Sequence, residues 1–411
     1  MSLPEAHTED KAKPGEAERL IHQEFAALRA CYLDVAARGP LPASAQAAVA
    51  AMLAAQAEGR VPKADWLALA ERVRGRLAAW LGAEADEIAF TQNVSDGLNR
   101  VATALNLGPG DRIIAAPVIE HPNNVFPWLW QAARNGAEFA EVHPRPGQPL
   151  EEALIAALDG RTRLLAISSV DFATGRRTDL AALGAACRSR DVFLLVDGAQ
   201  SAGVLAEDFS KLPVDGWATA TQKGLLGLYG LGVLFVRRAW ADRLRPAGLA
   251  RFSVTLQAEH EAAGPEAGWT LRAGAGRFET GNYNYPALAA QEASLELLGK
   301  LGPAEVERRA VGAAAALRSG LEALDIPLLQ VPMAHRSHIL AVAAAQGEGH
   351  DTAETPWVGS LSACLRAAGI GHSVRRGAVR LSTHMHVLPD GVAEVLDCAA
   401  AWRRQQDTKL G

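Results

Sequence analysis

The sequence has few cysteines and no long apolar run. Its four cysteines are too few and too widely spaced for a disulfide framework or for the paired ligands of a zinc site: Cys31, Cys187, Cys364 and Cys398. No apolar stretch approaches the roughly 18 residues that a membrane-spanning helix needs. We therefore expect no bound metal and no membrane partner.

The charge balance argues against another class of partner. Lys and Arg total 41 and Asp and Glu total 46, which gives a net charge of −5. Basic residues are scattered, so there is no electrostatic footprint for nucleic acid. Residues 1–19 are polar and lack the apolar core of a signal peptide. We expect a cytoplasmic protein whose residues 1–15 form a flexible leader.

Short apolar runs alternate with helical patterns over the first two thirds of the chain. The predicted strands are residues 87–91, 112–116, 138–142, 164–168, 192–196 and 232–236. Predicted helices between them include residues 96–105, 126–134 and 180–190. Such alternation indicates an α/β fold, with a mainly parallel sheet flanked by helices.

The pattern changes after about residue 290. Residues 291–300 and 304–324 predict long helices, and short strands are expected at residues 338–343 and 378–382. A chain of 411 residues also exceeds the roughly 250–300 at which single cores stop growing. We expect a large domain at residues 40–288 and a smaller α+β domain formed by residues 16–39 and 289–411.

The segment from residue 192 to 236 carries the strongest chemical signal. An apolar strand ends just before Asp197, and ligands of α/β sheets bind outside the carboxyl ends of strands. Lys223 follows within a glycine-rich apolar segment. A lysine amine can hold pyridoxal phosphate (PLP) as a Schiff base, and a carboxylate can keep its ring nitrogen protonated. Asp197 and Lys223 are therefore candidate catalytic residues, the alternative being two unrelated charges.

Several motifs, in this order, resemble the class V aminotransferase family, which includes cysteine desulfurases, isopenicillin-N-epimerase-like proteins and kynureninases. The resemblance runs from about Tyr32 to His386 and includes the segment Tyr-Leu-Asp-Val-Ala-Ala-Arg-Gly-Pro at residues 32–40. It implies the aspartate-aminotransferase fold, that is, the PLP-dependent transferase fold type I. It also implies PLP as the cofactor and a homodimer with shared active sites.

The resemblance assigns roles around the cofactor. Thr-Gln-Asn-Val-Ser-Asp-Gly at residues 91–97 resembles the phosphate loop, with Val94 and Ser95 at the phosphate. A helix that starts there, capped by Asn93 or Ser95, would offer free N–H groups to an anion. His121, in Glu-His-Pro-Asn-Asn, matches the histidine that stacks on the pyridine ring as a further catalytic residue. Gln200 matches the residue that hydrogen-bonds the phenolic oxygen.

Other positions depart from the family pattern. Asp171 stands where relatives place Asn or Gln near the phenolic oxygen. Thr221 and Gln222 occupy the place of the usual Ser-x-His before the lysine and are the available hydrogen-bonding substitutes. Asn282 replaces a threonine that reaches the phosphate of the neighbouring subunit.

Arg380 begins an Arg-Leu-Ser run that resembles the family's Arg-x-Ser. The matching arginine grips the α-carboxylate of the substrate, which guanidinium geometry suits. We therefore expect an α-amino acid substrate and favour transamination. A lyase that performs β-elimination, such as a C–S lyase, and an epimerase share the same first proton transfer at Cα and stay open.

A desulfurase would need a nucleophilic cysteine on a mobile loop. Cys364 precedes Arg380 by 16 residues, but it lies in a helical pattern at residues 357–368, where a buried thiol is inert. Two other classes of protein are disfavoured. A binding or regulatory protein of the same fold is disfavoured by the intact set of candidate residues. A nucleotide-binding oxidoreductase is disfavoured because the glycines at 224–232 run into a strand rather than a helix.

Overall fold

The computed structural model describes residues 14–257, 264, 266, 268–347, 352–353 and 355–410. The predicted leader, residues 1–15, lies outside these residues except for its last two. The helices are α1 (Pro14–Glu24), α2 (Ala43–Ala57), α3 (Lys63–Leu81), α4 (Val94–Ala104), α5 (Phe126–Asn135), α6 (Leu150–Ala157), α7 (Leu180–Arg188), α8 (Arg238–Ala241), α9 (Tyr285–Leu301), α10 (Pro303–Ala323), α11 (Pro356–Ala367) and α12 (Pro389–Leu410). The strands are β1 (Ile88–Thr91), β2 (Arg112–Ala115), β3 (Glu138–Glu141), β4 (Thr162–Ser168), β5 (Phe193–Asp197), β6 (Gly216–Ala220), β7 (Gly232–Val236), β8 (Val254–Leu256), β9 (Trp269–Leu271), β10 (Ile339–Val342), β11 (Ser373–Arg375) and β12 (Ala378–Ser382).

A seven-stranded sheet forms the centre of the chain, in the order β1-β7-β6-β5-β4-β2-β3. Strands β2 to β6 pair in parallel, and β7 is antiparallel to both of its neighbours. Alternate residues of β5 serve two apolar layers, with Leu194 and Val196 on one face and Phe193 and Leu195 on the other. The fold class predicted from the alternating pattern is therefore confirmed.

A second, three-stranded antiparallel sheet has the order β10-β12-β11. Its apolar face packs with residues of α10, α11 and α12 in a core of its own. The segment after α1 joins this layer, because Leu33 belongs to that core and Asp34 bridges Ser382. Ile21 and Phe25 pack instead in the core of the large sheet. We propose that residues 16–39 connect the two domains.

The start of α9 differs from the prediction. The helix expected from residue 291 begins at Tyr285. Asn284 caps it, since its Oδ1 accepts a hydrogen bond from the N–H of Ala287, and Pro286 lies in the first turn. A side-chain cap followed by proline is a strong helix start. This start fixes the end of the polar loop that carries Asn282.

Candidate functional site

Lys223 and Asp197 come from neighbouring strands of the large sheet. Asp197 is the last residue of β5 and pairs with Ala218 of β6, after which the chain reaches Lys223. Burial lowers the pKa of Lys223 to about 8, with the charges of Asp197 and Asp34 acting in the opposite direction. Burial also raises the pKa of Asp197, which its hydrogen bond and Lys223 oppose. The site thus pairs an easily neutralised amine with a buried carboxyl group.

Backbone groups hold Asp197 in place. Its Oδ1 accepts a hydrogen bond from the N–H of Ala199 at 2.9 Å. Its carbonyl oxygen accepts from the N–H of Ser169 at 3.0 Å and from the Ser169 hydroxyl at 3.2 Å. Ser169 follows β4, the next strand of the sheet, so the adjacent strand end fixes the backbone of Asp197, while the N–H of Ala199 fixes its carboxylate.

The residues just before Lys223 have different surroundings. The hydroxyl of Thr221 donates to the carbonyl oxygens of Leu228 at 2.8 Å and Leu231 at 3.1 Å. The Thr221 hydroxyl therefore stabilises the glycine-rich turn that contains Leu228 and Leu231. Gln222 lines a cavity of about 390 Å³ next to Tyr32. Their predicted contacts with the cofactor stay predictions.

Gln200 and His121 lie near the same edge of the sheet. The amide nitrogen of Gln200 donates to the carbonyl of Ala36 at 3.1 Å, while its buried Oε1 has no hydrogen-bond partner. A buried polar atom without a partner is unusual and marks capacity that a ligand can use. The His121 ring accepts from the N–H of Asn123 and meets Phe172 edge-on, with ring centres 5.3 Å apart.

Asp171 turns its carboxylate into its own loop. Oδ1 accepts from the N–H of Ala173 at 2.9 Å and Oδ2 from the hydroxyl of Thr174 at 2.5 Å. Burial raises its pKa. The role predicted for Asp171 beside a phenolic oxygen stays a prediction, and it would require the carboxylate to share these donors.

Helix α4 begins shortly after β1, at the place of the predicted anion site, whose role stays a prediction. Its cap is Asn93, whose Oδ1 accepts from the N–H of Asp96 at 2.9 Å. Val94 and Ser95 are therefore in the first turn, where backbone N–H groups have no acceptor within the helix. Asn282 is exposed and lines a cleft of about 250 Å³ together with Gln92, which precedes the cap.

Arg380 lies on β12 and is almost completely buried, with 2% of its surface exposed. Its guanidinium donates to the carbonyl of Phe172 at 2.8 Å, the hydroxyl of Ser373 at 3.0 Å and Oδ1 of Asp34 at 3.3 Å. These contacts fix the plane of the guanidinium. Asp34 was not predicted as a site residue, because its partner is remote in sequence and only the resembling segment around it gave a signal.

Glu120 was also not predicted as a site residue. Its buried carboxylate accepts from the N–H of Ser168 at 2.6 Å and from the amide of Asn124 at 2.7 Å. Burial raises its pKa to about 8, and the charge of Asp197 acts in the same direction. Glu120 thus ties the loop of His121 to the strand end beside Asp197. Its position next to His121 was the available signal.

The cysteines lie in packed surroundings. Cys364 is on α11, as the helical pattern predicted, and its Sγ lies 3.5 Å from that of Cys398 on α12. Cys31 and Cys187 are buried, and burial raises the pKa of each thiol to about 12. Among the described residues, no group of three or more His, Cys, Asp or Glu side chains is arranged to hold a metal. Nor is any helix there suited to cross a bilayer.

Comparison with known proteins gives a match to the family model described as "Aminotransferase class-V" over residues 31–393. A probable cysteine desulfurase of Methanothermobacter thermautotrophicus is 27% identical over 256 residues, which cover 62% of each chain. A cysteine desulfurase of Klebsiella pneumoniae is 31% identical over 296 residues, or 70% of each chain. The chain spans less than two thirds of the length of several of the curated relatives that it matches.

Solved structures of C-DES resemble the whole fold. They align with a TM-score of 0.80 and 25% identity over 92% of this chain. One is a complex between "the cystine C-S lyase C-DES" and its reaction product, cysteine persulfide, and covers 99% of that protein. The other is a mutant with glycine covalently linked to the PLP cofactor, and covers 98%.

Proposed function

Because the chain belongs to the class V aminotransferase family, we propose that it is a PLP-dependent enzyme acting on an α-amino acid. The observation that carries the proposal is the electrostatic interaction of buried Lys223, which follows β6, with Asp197 at the end of the adjacent strand β5. A lysine with a pKa of about 8 exists partly as the free amine near neutral pH, which is the form that reacts with an aldehyde. Asp197 supplies the buried carboxyl group that such a cofactor requires.

The remaining residues suit the same cofactor. The unpartnered Oε1 of buried Gln200 leaves a polar position for a ligand, and the first turn of α4 offers N–H groups to a phosphate. His121 presents a flat ring on the same side of the sheet. When bound, PLP withdraws electrons from the bonds at the substrate Cα.

Two residues would handle the substrate. The buried guanidinium of Arg380 would bind the α-carboxylate, since its plane is already fixed by Phe172 and Ser373. The Lys223 amine, once neutral, would accept the proton from Cα at Nζ and return or pass it on. Asp34 would hold Arg380 in position between turnovers.

For the reaction type, we propose elimination at Cβ of a sulfur-containing amino acid, with cleavage of its C–S bond. Its support is the likeness to cysteine desulfurases and to the C–S lyase C-DES. A second support is the connection between β11 and β12, which consists of Arg376 and Gly377 alone. Such a turn has no room for a mobile loop bearing a cysteine, so the carbon–sulfur bond would break without a protein thiol.

Transamination, which the sequence favoured, is the second candidate. It needs the same proton transfer at Cα, and the family description supports it. The two reactions differ in the next step: elimination expels the sulfur substituent from Cβ, whereas transamination moves the proton from Cα to the cofactor. Epimerisation would return it to Cα on the opposite face.

The test is a panel of amino acids incubated with the PLP-loaded protein. Cystine and cysteine conjugates should yield pyruvate, ammonia and a sulfur-bearing product in equal amounts. Conversion of PLP to pyridoxamine phosphate with release of a keto acid would instead establish transamination. A protein that acquires no visible absorbance with PLP would overturn the cofactor assignment itself.

Two further expectations remain proposals. We propose a homodimer in which Asn282 reaches the phosphate of the neighbouring subunit, and a cytoplasmic location. The exposed position of Asn282 on the loop before α9 is compatible with the first. Analytical ultracentrifugation, followed by mixing Asn282→Ala with Lys223→Ala protein, would test it: restored activity in mixed dimers requires shared sites.

A further inference from the structure

His384 makes a pair of hydrogen bonds directly behind Lys223. It is completely buried and follows β12, the strand that carries Arg380. Its Nε2 lies 3.0 Å from the carbonyl oxygens of both Gly203 and Gly224. Both partners are acceptors, so Nε2 carries the proton. The ring nitrogen Nδ1 is then an acceptor, and it has no hydrogen-bond partner.

The two carbonyl groups belong to segments that flank the site. Gly224 directly follows Lys223, and Gly203 lies in the turn that follows Asp197 and Gln200. The segments touch backbone to backbone, since a Cβ on Gly203 would lie 2.4 Å from the carbonyl oxygen of Gly224. One N–H group therefore holds the lysine segment against the aspartate segment.

A second backbone contact is made to the residue that precedes Lys223. The N–H of Gly39 donates to the carbonyl of Gln222 at 2.8 Å. A Cβ on Gly39 would lie 2.2 Å from the carbonyl oxygen of Lys223, so only glycine allows this approach. Gly39 and His384 thus bond the backbone carbonyl groups of Gln222 and Gly224, the two neighbours of Lys223 in the chain.

We propose that His384 is a positioning residue that fixes the backbone of Lys223 relative to Asp197. This inference deepens the proposed function, because its consequence for the cofactor rests on Lys223 as the cofactor lysine. Burial lowers the pKa of His384 to about 4, so the ring stays neutral and keeps Nδ1 unprotonated at neutral pH. His384 thereby ties the strand that carries Arg380 to the segment that carries Lys223.

The test compares three substitutions at residue 384. His384→Leu keeps the volume without a donor, His384→Gln keeps a donor of similar reach, and His384→Asn keeps a shorter one. Hydrogen exchange of the amides in residues 221–228 should be about ten-fold faster in His384→Leu, as expected for loss of a hydrogen bond of ordinary strength. Exchange should be intermediate in His384→Asn and close to wild type in His384→Gln.

His372→Leu is the matched control. His372 is half-buried, and its ring bonds the carbonyl oxygen of Ile370 at 2.9 Å and the hydroxyl of Ser362 at 2.9 Å. This variant should lose stability without faster exchange in residues 221–228. Equal acceleration by His372→Leu, or unchanged exchange in both His384→Leu and His384→Asn, would overturn the inference. If His384→Leu does not fold, the order of the Asn and Gln variants decides.

A spectroscopic measurement tests the effect of His384 on the bound cofactor. In PLP-loaded protein, His384→Leu should shift the pH midpoint of the visible band, because Lys223 changes its distance from Asp197. His384→Gln should restore the wild-type midpoint. A wild-type protein that gives no visible band contradicts the proposed function, while hydrogen exchange still decides the role of His384. A normal band with an unshifted midpoint in His384→Leu contradicts the positioning role alone.

Discussion

Asp34 and Arg380 are 346 residues apart in sequence, and Oδ1 of the first lies 3.3 Å from Nη2 of the second. Asp34 Oδ1 also accepts from the Ser373 hydroxyl at 2.8 Å. Ser373 in turn accepts from Nε of Arg380. Two side chains, Asp34 and Ser373, which also bond to each other, therefore hold Nε and Nη2 of the guanidinium in position.

The first prediction concerns Arg380→Lys. An ammonium group cannot reproduce the planar fork that meets a carboxylate, and it abandons the carbonyl of Phe172. We expect KM for the amino acid to rise at least about 30-fold, which corresponds to roughly 2 kcal/mol. The visible band of bound PLP should persist. Arg309→Lys, at an ion pair on α10, is the control and should leave KM unchanged. An unaltered KM in Arg380→Lys would remove Arg380 from the substrate site.

The second prediction concerns the pH dependence of cofactor uptake. The pKa of Lys223 is lowered to about 8, so its reactive neutral fraction increases as pH rises and levels off above that value. The rate of PLP uptake, followed by visible absorbance, should have its midpoint near this pH. Asp197→Asn removes a charge that raises the lysine pKa and should move the midpoint to lower pH.

Lys223→Ala is the control for covalent attachment. Reduction with borohydride followed by denaturation should leave PLP on wild-type protein and none on this variant. An uptake midpoint near the ordinary lysine pKa would contradict the lowered value.

The third prediction concerns Cys364. Its Sγ faces Cys398 across the α11–α12 contact, and the β11–β12 turn is too short to carry a nucleophile. Cys364→Ser should therefore release pyruvate from sulfur-containing amino acids at the wild-type rate. Cys187→Ser, a substitution in the core of the large domain, tests for unspecific loss of stability. A loss of activity in Cys364→Ser as complete as that in Lys223→Ala would restore the desulfurase mechanism.

Most of the large sheet could be predicted because its central strands, such as β4 and β5, are apolar on both faces and bounded by polar turns. Strand β6, Gly216–Ala220, was missed. Its glycine and two alanines lack the branched side chains that signal a strand, and tertiary contacts with β5 and β7 decide its conformation. The antiparallel direction of β7 could not be predicted from the sequence either, because the direction of a strand depends on the strands it pairs with.

Candidate site residues could be identified where a local motif surrounded them, as at Lys223 and Asp197. The partners of these residues were not. The role of Asp34 depends on its contact with Arg380. The role of His384 depends on its contacts with the carbonyl groups of Gly203 and Gly224. Contacts of this kind require the chain to fold before the residues meet, and composition and spacing do not report them.

The fourth prediction concerns acid stability. Burial lowers the pKa of His386 to about 3, below the ordinary value of 6.5. Below pH 6.5, His386 binds a proton in the unfolded chain but not in the folded chain. The free energy of unfolding therefore falls as the pH decreases. Between about pH 6 and pH 4, His386 should contribute a loss of up to roughly 1.4 kcal/mol per pH unit.

The measurement is urea unfolding of wild type and His386→Leu across this range. The variant should show a shallower decline than wild type, because carboxyl groups titrate in both proteins and cancel in the difference. Parallel curves for wild type and His386→Leu would show that this histidine does not resist protonation.

The two-residue turn at Arg376 and Gly377 also bears on where the sulfur goes. Both residues have positive φ, 45° and 76°, and join β11 to β12 as tightly as a hairpin permits. A protein thiol at that place would keep the sulfur atom bound and hand it to an acceptor protein. Under the proposed elimination there is no such thiol, and the sulfur product would leave as a small molecule. Such an enzyme would supply free sulfur compounds to metabolism rather than act as the first member of a relay.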